Sequence, residues 1–312
     1  MELIAEFCQN HNGDFGLLKE MVYAAKESGC TYGKIQSISP DMVTFRERFE
    51  KGIIKNGKQI SIQRPFQAEV DRMSRLEITL DEQADFVQLC NKVGLKPLTT
   101  AFSRSSVEKI KEVGFKDIKI ASYDCASVPL LQDAANIFDR IIVSTGATFD
   151  REIELAAHVL KGYDFSFLHC VTMYPTPLHE FNLARMKFLS KYTDSIGWSD
   201  HSKIALDGIK GTLAAVYFGA KLIERHFTIL DESETKDGPV SIDSKQAQQI
   251  VEASKMEKSD LKGYLEEVFP NYKTTLGTEN RDLSDEELLN RDYFRGRFGS
   301  PLADGSHQFN WD

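Results

Sequence analysis

Glu224 and His226, in the run Ala-Lys-Leu-Ile-Glu-Arg-His-Phe-Thr from Ala220 to Thr228, are the first pair whose types and spacing could do chemistry. The run reads as a short buried strand. Strand side chains alternate with period two, so Glu224 and His226 share one face while Ile223, Arg225 and Phe227 share the other. A carboxylate and an imidazole at the end of an apolar strand cost desolvation energy unless a metal, a charged ligand or a partner group answers them. A single Glu-x-His is ordinarily a satisfied core pair, but here the device recurs. Ser199 and His201 follow the short run Ser195–Trp198, and Lys34 and Gln36 alternate in Tyr-Gly-Lys-Ile-Gln. Lys119 sits in Asp-Ile-Lys-Ile, Glu6 closes Leu-Ile-Ala-Glu, and Thr100 with Ser103 follows Lys96–Thr99. Strand ends that carry polar and ionisable groups of both signs, repeated along a chain, indicate a site.

The elements that must position these groups alternate between strand and helix. Strands are expected at Glu2–Cys8, Tyr32–Ser37, Lys96–Ala101, Asp117–Ala121, Arg140–Ser144, Phe165–Val171, Ser195–Trp198 and Lys221–Phe227. Helical periodicity fills the gaps: over Phe15–Ser28, with Leu18, Met21, Val22 and Ala25 on one stripe before Gly29, and over Asp81–Val93. Further helices are expected through Val107, Ile110 and Val113, from about Val128, and through Ile153, Ala156, Ala157 and Leu160. The longest interruption, Ile38–Leu80, reads as an excursion of the second strand-to-helix loop. Such a repeat predicts an α/β fold of the (β/α)8 TIM-barrel type, whose sites lie at the carboxyl ends of its strands. A doubly wound open sheet offers no reason for these ends to converge. Residues 1–268 are assigned to the barrel and 269–312 to a short irregular tail that docks on it without forming a separate domain.

With 312 residues, 41% hydrophobic and 27% charged, the chain has the composition of a globular protein able to bury a full core. A net charge of −9 without a Lys/Arg cluster argues against nucleic acid as a partner. No run approaches the roughly 20 apolar residues of a membrane span, and the start of the chain lacks a basic and apolar leader pattern. A cytoplasmic protein with no membrane partner is expected. The cysteines Cys8, Cys30, Cys90, Cys125 and Cys170 form no C-x-x-C pair, which fits reduced thiols used for packing.

A resemblance becomes specific when the strand-end segments are taken in order. They are Ala5-Glu6 with Asn10-His11-Asn12-Gly13-Asp14, Lys34-Ile35-Gln36, Thr100-Ala101-Phe102-Ser103, Lys119-Ile120-Ala121-Ser122 and Ser144-Thr145-Gly146, then His169-Cys170 with Tyr174-Pro175-Thr176-Pro177, Ser199-Asp200-His201-Ser202 and Glu224-Arg225-His226-Phe227-Thr228. Together they closely resemble the sialic acid synthase family, which condenses phosphoenolpyruvate with an N-acylated aldose. The likeness runs from residue 2 to about residue 228 and continues more weakly to about residue 298. It implies a divalent cation, Mn²⁺ foremost with Mg²⁺ or Co²⁺ as alternatives, held by His201 and His226 and acting as a Lewis acid on the aldehyde oxygen. Two imidazoles completed by water and substrate oxygens suit such ions better than a four-ligand structural zinc. It further implies that Lys34, Lys119, Thr100, Ser122, Ser144 and Ser199 meet the phosphate and carboxylate of phosphoenolpyruvate, and that Glu6, Gln36 and Tyr174 hold the sugar. Glu224 and Glu6 are the candidates for moving protons.

Departures from the family pattern cluster on the acceptor side. Asp124 stands where the family has Glu, Thr172 where it has Asn, and Gly238-Pro239-Val240 where it has Gly-Pro-Asp, with Asp237 or Asp243 as candidate substitutes. The family's C-terminal antifreeze-like domain, whose arginine reads the N-acyl group, is expected to be missing, leaving Arg291, Arg295 or Arg297 to take over. The expected activity is synthesis of a 3-deoxy-2-keto sugar acid of the nonulosonic type with release of phosphate, by a homodimer. Two alternatives stay open. One is a phosphorylated aldose acceptor, for which the Arg46–Lys58 stretch is the candidate basic patch. The other is a barrel relative without catalysis.

Overall fold

In the computed structural model, which describes residues 1–312, eight parallel strands close into a barrel. They are β1 (Glu2–Glu6), β2 (Tyr32–Ser37), β3 (Lys96–Ala101), β4 (Asp117–Ile120), β5 (Arg140–Ser144), β6 (Phe165–His169), β7 (Ile196–Asp200) and β8 (Leu222–His226). Each strand pairs with the next and β8 pairs with β1, so no edge remains. The expected strands are all present and differ only at their ends.

Period-two alternation explains how the interior is layered. Ile4, Tyr32, Leu98, Ile142, Leu168 and Leu222 form a buried apolar layer across the barrel. Two residues further along the same strands, the same face carries Glu6, Lys34, Thr100, Ser144, Cys170 and Glu224. Two residues back, it carries a polar floor in which Arg140 donates to Glu2 (2.7 Å), the Tyr32 hydroxyl (3.2 Å), Ser166 (3.0 Å) and Ser195 (3.1 Å). The apolar layer therefore separates a structural network at one end from an ionisable one at the other. The opposite faces of the strands, with Ala5, Ile35, Val143, Phe167, Trp198 and Ile223, pack on the surrounding helices. At Gly197 in β7 a Cβ would sit 2.1 Å from the Leu222 carbonyl oxygen, so this close strand approach admits only glycine.

Local signals set the helix starts. Asp14 caps the helix Phe15–Glu27 by accepting from the amides of Gly16 and Leu17. Thr79 caps Leu80–Val93 in a capping box with Glu82, slightly earlier than the expected start at Asp81. No helix is long and apolar enough to cross a membrane.

Two stretches are more ordered than the sequence reading expected. The 38–80 excursion contains an antiparallel hairpin, Ile53–Lys55 with Lys58–Ser61, turned by Asn56 and Gly57 at positive φ, and a helix at Phe66–Leu76. The 269–312 tail is not irregular throughout: it forms a helix at Asp285–Phe294, capped by Ser284 with Glu287, and a small hairpin pairing Ser300–Pro301 with His307–Gln308. The tail carries a run of charged residues from Asp282 to Arg291. They find partners on docking, because Asn290 donates to the Thr172 carbonyl (2.7 Å) and Arg291 to Glu152 (2.5 Å). Tyr123 stacks on Phe294 and Phe102 packs on Phe298, which brings the tail over the barrel mouth.

Candidate active site

A cleft of about 520 Å³ opens at the carboxyl ends of the strands. All the residues singled out above as catalytic, substrate-binding or metal-binding line it, except Thr172. Thr172 is buried behind the wall, where its carbonyl anchors the tail helix through Asn290. Ser103 also lies outside the lining, with its carbonyl accepting from the Ser106 hydroxyl.

Glu6 and Lys34 are register partners on β1 and β2, and their side chains form a buried ion pair. Glu224 Oε2 lies 3.7 Å from the same ammonium, while its Oε1 accepts from the Ser199 hydroxyl at 2.9 Å. Burial lowers the Lys34 pKa to about 8 against the pull of Glu224, with Lys119 lowering it further. Burial pushes Glu224 upward, but Lys119, Lys34, the Ser199 hydrogen bond and His201 together hold it at about 2. Glu224 is thus a carboxylate at neutral pH. Lys119 is the contrasting case: its buried ammonium donates to Ser144 Oγ (2.6 Å) and to the Ile120 carbonyl (3.2 Å), and Glu224 acts on it only through space.

Beside the lysines, Ser122 Oγ lies 3.1 Å from the Gly146 amide and 3.2 Å from Cys170 Sγ. Asp124 lines the cleft with one oxygen engaged, since Oδ1 accepts from Ser127 (2.8 Å) and from Asn310 of the tail (3.0 Å). Burial raises its pKa despite those hydrogen bonds. Tyr174, half exposed, places its ring 4.4 Å from that of His201.

His201 and His226 are buried with their rings 5.5 Å apart, and Nδ1 of each has no hydrogen-bond partner. Burial, reinforced by His226, lowers the His201 pKa to about 3, and burial lowers that of His226 as well. Neutral imidazoles with an unpartnered buried nitrogen fit a divalent cation, which requires its ligands deprotonated. Asp237, one of the two suggested substitutes for the family's missing carboxylate, places Oδ2 3.6 Å from His226 Nδ1. Asp243 is instead committed to capping the helix Ser244–Ala253.

Of the three tail arginines, Arg297 lines the cleft, paired with Glu69 at 2.8 Å. Arg291 and Arg295 do not, since both are bound to Glu152. The Arg46–Lys58 stretch does not supply a basic patch to the cleft: Arg46 donates to carbonyls of the tail, Arg48 pairs with Asp292 and Lys58 with Asp285. Basic groups that the sequence reading passed over do so. Arg64 and Arg72 from the excursion and Lys236 from the loop after β8 join Arg297 in the wall. Arg72 shares Glu69 with Arg297, while Arg64 and Lys236 face the cleft without an ion-pair partner. No strand alternation marks Arg64, Arg72 or Lys236, since all three lie outside the barrel strands. Cys8 also lines the cleft rather than serving the apolar core.

Comparison with known proteins fits this geometry. Residues 21–264 match the model of the NeuB family. The chain is 31% identical over 255 residues to an N,N'-diacetyllegionaminic acid synthase of Campylobacter jejuni, covering 80% of this chain and 73% of that protein. It is 28% identical over 258 residues to a pseudaminic acid synthase of Helicobacter pylori, covering 81% and 73%. The crystal structure of an N-acetylneuraminic acid synthetase from Leptospira borgpetersenii, in complex with citrate, superposes with a TM-score of 0.68 at 27% identity, over 93% of this chain and 90% of that one. A matching barrel, a polar ring at its strand ends and a family match over most of the chain lead to one conclusion: the chain belongs to the NeuB family of nonulosonic acid synthases, enzymes of sugar-acid biosynthesis.

Proposed function

We propose that this protein condenses phosphoenolpyruvate with an aldose, giving a 3-deoxy-2-keto sugar acid and inorganic phosphate. The observation that carries the reading is the pair of buried lysines, Lys34 of β2 and Lys119 of β4, with Thr100 of β3 between them and the hydroxyls of Ser122 and Ser144 alongside. Two ammonium groups and several donors in a desolvated cleft suit a small ligand bearing both phosphate and carboxylate. In the reaction, a bond forms between C3 of phosphoenolpyruvate and the aldehyde carbon of the open-chain sugar. Water adds at C2 and the C–O bond to phosphate then breaks. A divalent ion held by the buried histidines would supply Lewis-acid polarisation of the aldehyde oxygen. Glu224, hydrogen-bonded to Ser199 beside the histidines, and Glu6, paired with Lys34, are the candidates for accepting a proton from the attacking water.

A second reading of the acceptor has its own support. Arg64, Arg72, Lys236 and Arg297 outnumber the carboxylates Glu69, Asp237 and Glu286 in this part of the lining, which favours an aldose carrying an anionic group such as a phosphate.

Phosphate release from phosphoenolpyruvate, measured with Mn²⁺ against N-acylated, unmodified and phosphorylated aldoses, tests both readings. Release with one acceptor class, abolished in His226→Ala, is the expected outcome. Release confined to a phosphorylated aldose selects the second reading, and no release with any acceptor removes the synthase assignment. The pH profile adds an independent check. Lys34 loses its proton as pH rises through about 8. The value of kcat/KM for phosphoenolpyruvate should therefore fall about tenfold per pH unit above that point, a limb absent from Lys34→Met.

A further inference from the structure

Cys8, His226 and Asp237 come from three places in the chain: just beyond β1, the end of β8 and the loop after it. Cys8 Sγ lies 3.5 Å and His226 Nδ1 3.6 Å from the same carboxylate oxygen, Asp237 Oδ2. The donor atoms of all three fall within 4.8 Å of one another. Ligands that each sit about 2.0–2.3 Å from a shared tetrahedral ion lie roughly 3.3–3.8 Å apart, which the two distances to Asp237 Oδ2 match. His226 Nδ1 is buried and has no hydrogen-bond partner.

Packing does not explain the thiol. Cys30, Cys90, Cys125 and Cys170 belong to the large apolar cluster, where a thiol behaves as a small hydrophobe. Cys8 is equally buried but lies outside that cluster and against a carboxylate, a contact that Cys170, which also lines the cleft, does not make. A thiol, an imidazole and a carboxylate converging from separate segments have the chemistry of a metal ligand set. His201 is adjacent to this set and not within it.

We propose that the Cys8 thiolate is a metal ligand, forming with His226 Nδ1 and Asp237 Oδ2 a site that favours Zn²⁺, Co²⁺ or Fe²⁺ over Mn²⁺ and Mg²⁺. This rests on the divalent-ion part of the function proposed above and adds Cys8 and Asp237 to the histidine-held ion described there, sharing His226. Soft sulfur raises affinity for borderline ions, whereas Mn²⁺ and Mg²⁺ prefer oxygen donors. On binding, the S–H bond is exchanged for a sulfur–metal bond and the proton passes to solvent.

The test is a Co²⁺ titration of the full chain after chelator treatment, followed by absorption spectroscopy with no substrate present. The expected result is a near-ultraviolet thiolate-to-cobalt charge-transfer band that grows together with the visible cobalt bands and saturates at one ion per chain. In Cys8→Ala the charge-transfer band should vanish while the visible bands persist. Affinity should fall by at least the roughly 10- to 100-fold that loss of an outer-shell partner costs. Cys30→Ala should leave both sets of bands unchanged. Visible bands without a charge-transfer band in the unmodified protein would overturn the assignment of Cys8 while leaving a histidine-held metal in place. Absence of all cobalt bands would remove the metal site itself. Zn²⁺ should displace the bound Co²⁺ at far lower concentration than Mn²⁺, and the reverse order would contradict the stated preference.

Discussion

Lys119→Met is expected to lower kcat/KM for phosphoenolpyruvate by about 10²–10³-fold while raising the temperature of unfolding. The two effects have one cause. The Lys119 ammonium is buried against Ser144 and a backbone carbonyl, with no carboxylate in contact, so the cost of its desolvation is offset by neutral acceptors and, only through space, by Glu224. Methionine has similar length, fills the same space and removes that cost. Activity depends on the same charge, which has only the neutral acceptors Ser144 and the Ile120 carbonyl in contact and so remains available to a phosphate. Lys34, held between Glu6 and Glu224, should behave differently, since its loss leaves two buried carboxylates without a cation and destabilises the fold. Steady-state kinetics and thermal unfolding of Lys119→Met decide the matter. Activity within tenfold of the unmodified protein, or a lowered unfolding temperature, would sink the assignment of Lys119 to anion binding.

Arg225→Met is expected to cost about 3–5 kcal/mol of folding stability. Arg225 and Asp200 are fully buried and form an ion pair on the outward face of β7 and β8. Arg225 also donates to the Ser202 hydroxyl (2.9 Å) and carbonyl (3.0 Å), while Asp200 accepts from Thr212 (2.6 Å) and the Ser202 amide (2.8 Å). Asp200 lies between Ser199 and His201 in sequence, and Arg225 lies between Glu224 and His226. The outward network therefore sets where the inward catalytic candidates point. Removing Arg225 leaves a carboxylate buried and uncompensated, and the double variant Arg225→Met with Asp200→Leu should recover much of the loss. Burial pushes Asp200 upward, yet Arg225 and the hydrogen bonds outweigh it and hold the carboxyl below its ordinary value. The pair's contribution is accordingly present above the unfolded carboxyl pKa of about 3.9 and lost as pH falls below it. Urea unfolding at neutral pH and near pH 3 measures both effects. A loss within about 1 kcal/mol for Arg225→Met at neutral pH would refute the account.

The barrel was legible because each strand is short, apolar and bounded by breaks, and because its polar residues fall on one parity. Ile4 and Glu6, Tyr32 and Lys34, and Leu222 and Glu224 repeat the same interior step, so placement of one pair on the inner face places the others. The tail helix was less legible, although Ser284 and Glu287 already spell a capping box. Its charges resemble solvated ones until Glu152 and the Thr172 carbonyl are brought against them by the fold. Thr172 shows the converse limit: its segment runs beside the site, but chain proximity does not say which way a side chain turns once the strand has ended.

Alternation along individual strands, a property of the covalent chain, was enough for the sequence by itself to determine the fold class, the ring of strand ends and the inward set of lysines, carboxylates and histidines. Contacts between segments far apart in the chain were decided only by the tertiary structure. Cys8 meets Asp237 across 229 positions, and Arg297 reaches Glu69 from the tail. Such pairings depend on the paths of loops, where no side-chain period constrains direction, and on the closure of β8 against β1, which brings the two ends of the barrel sequence together.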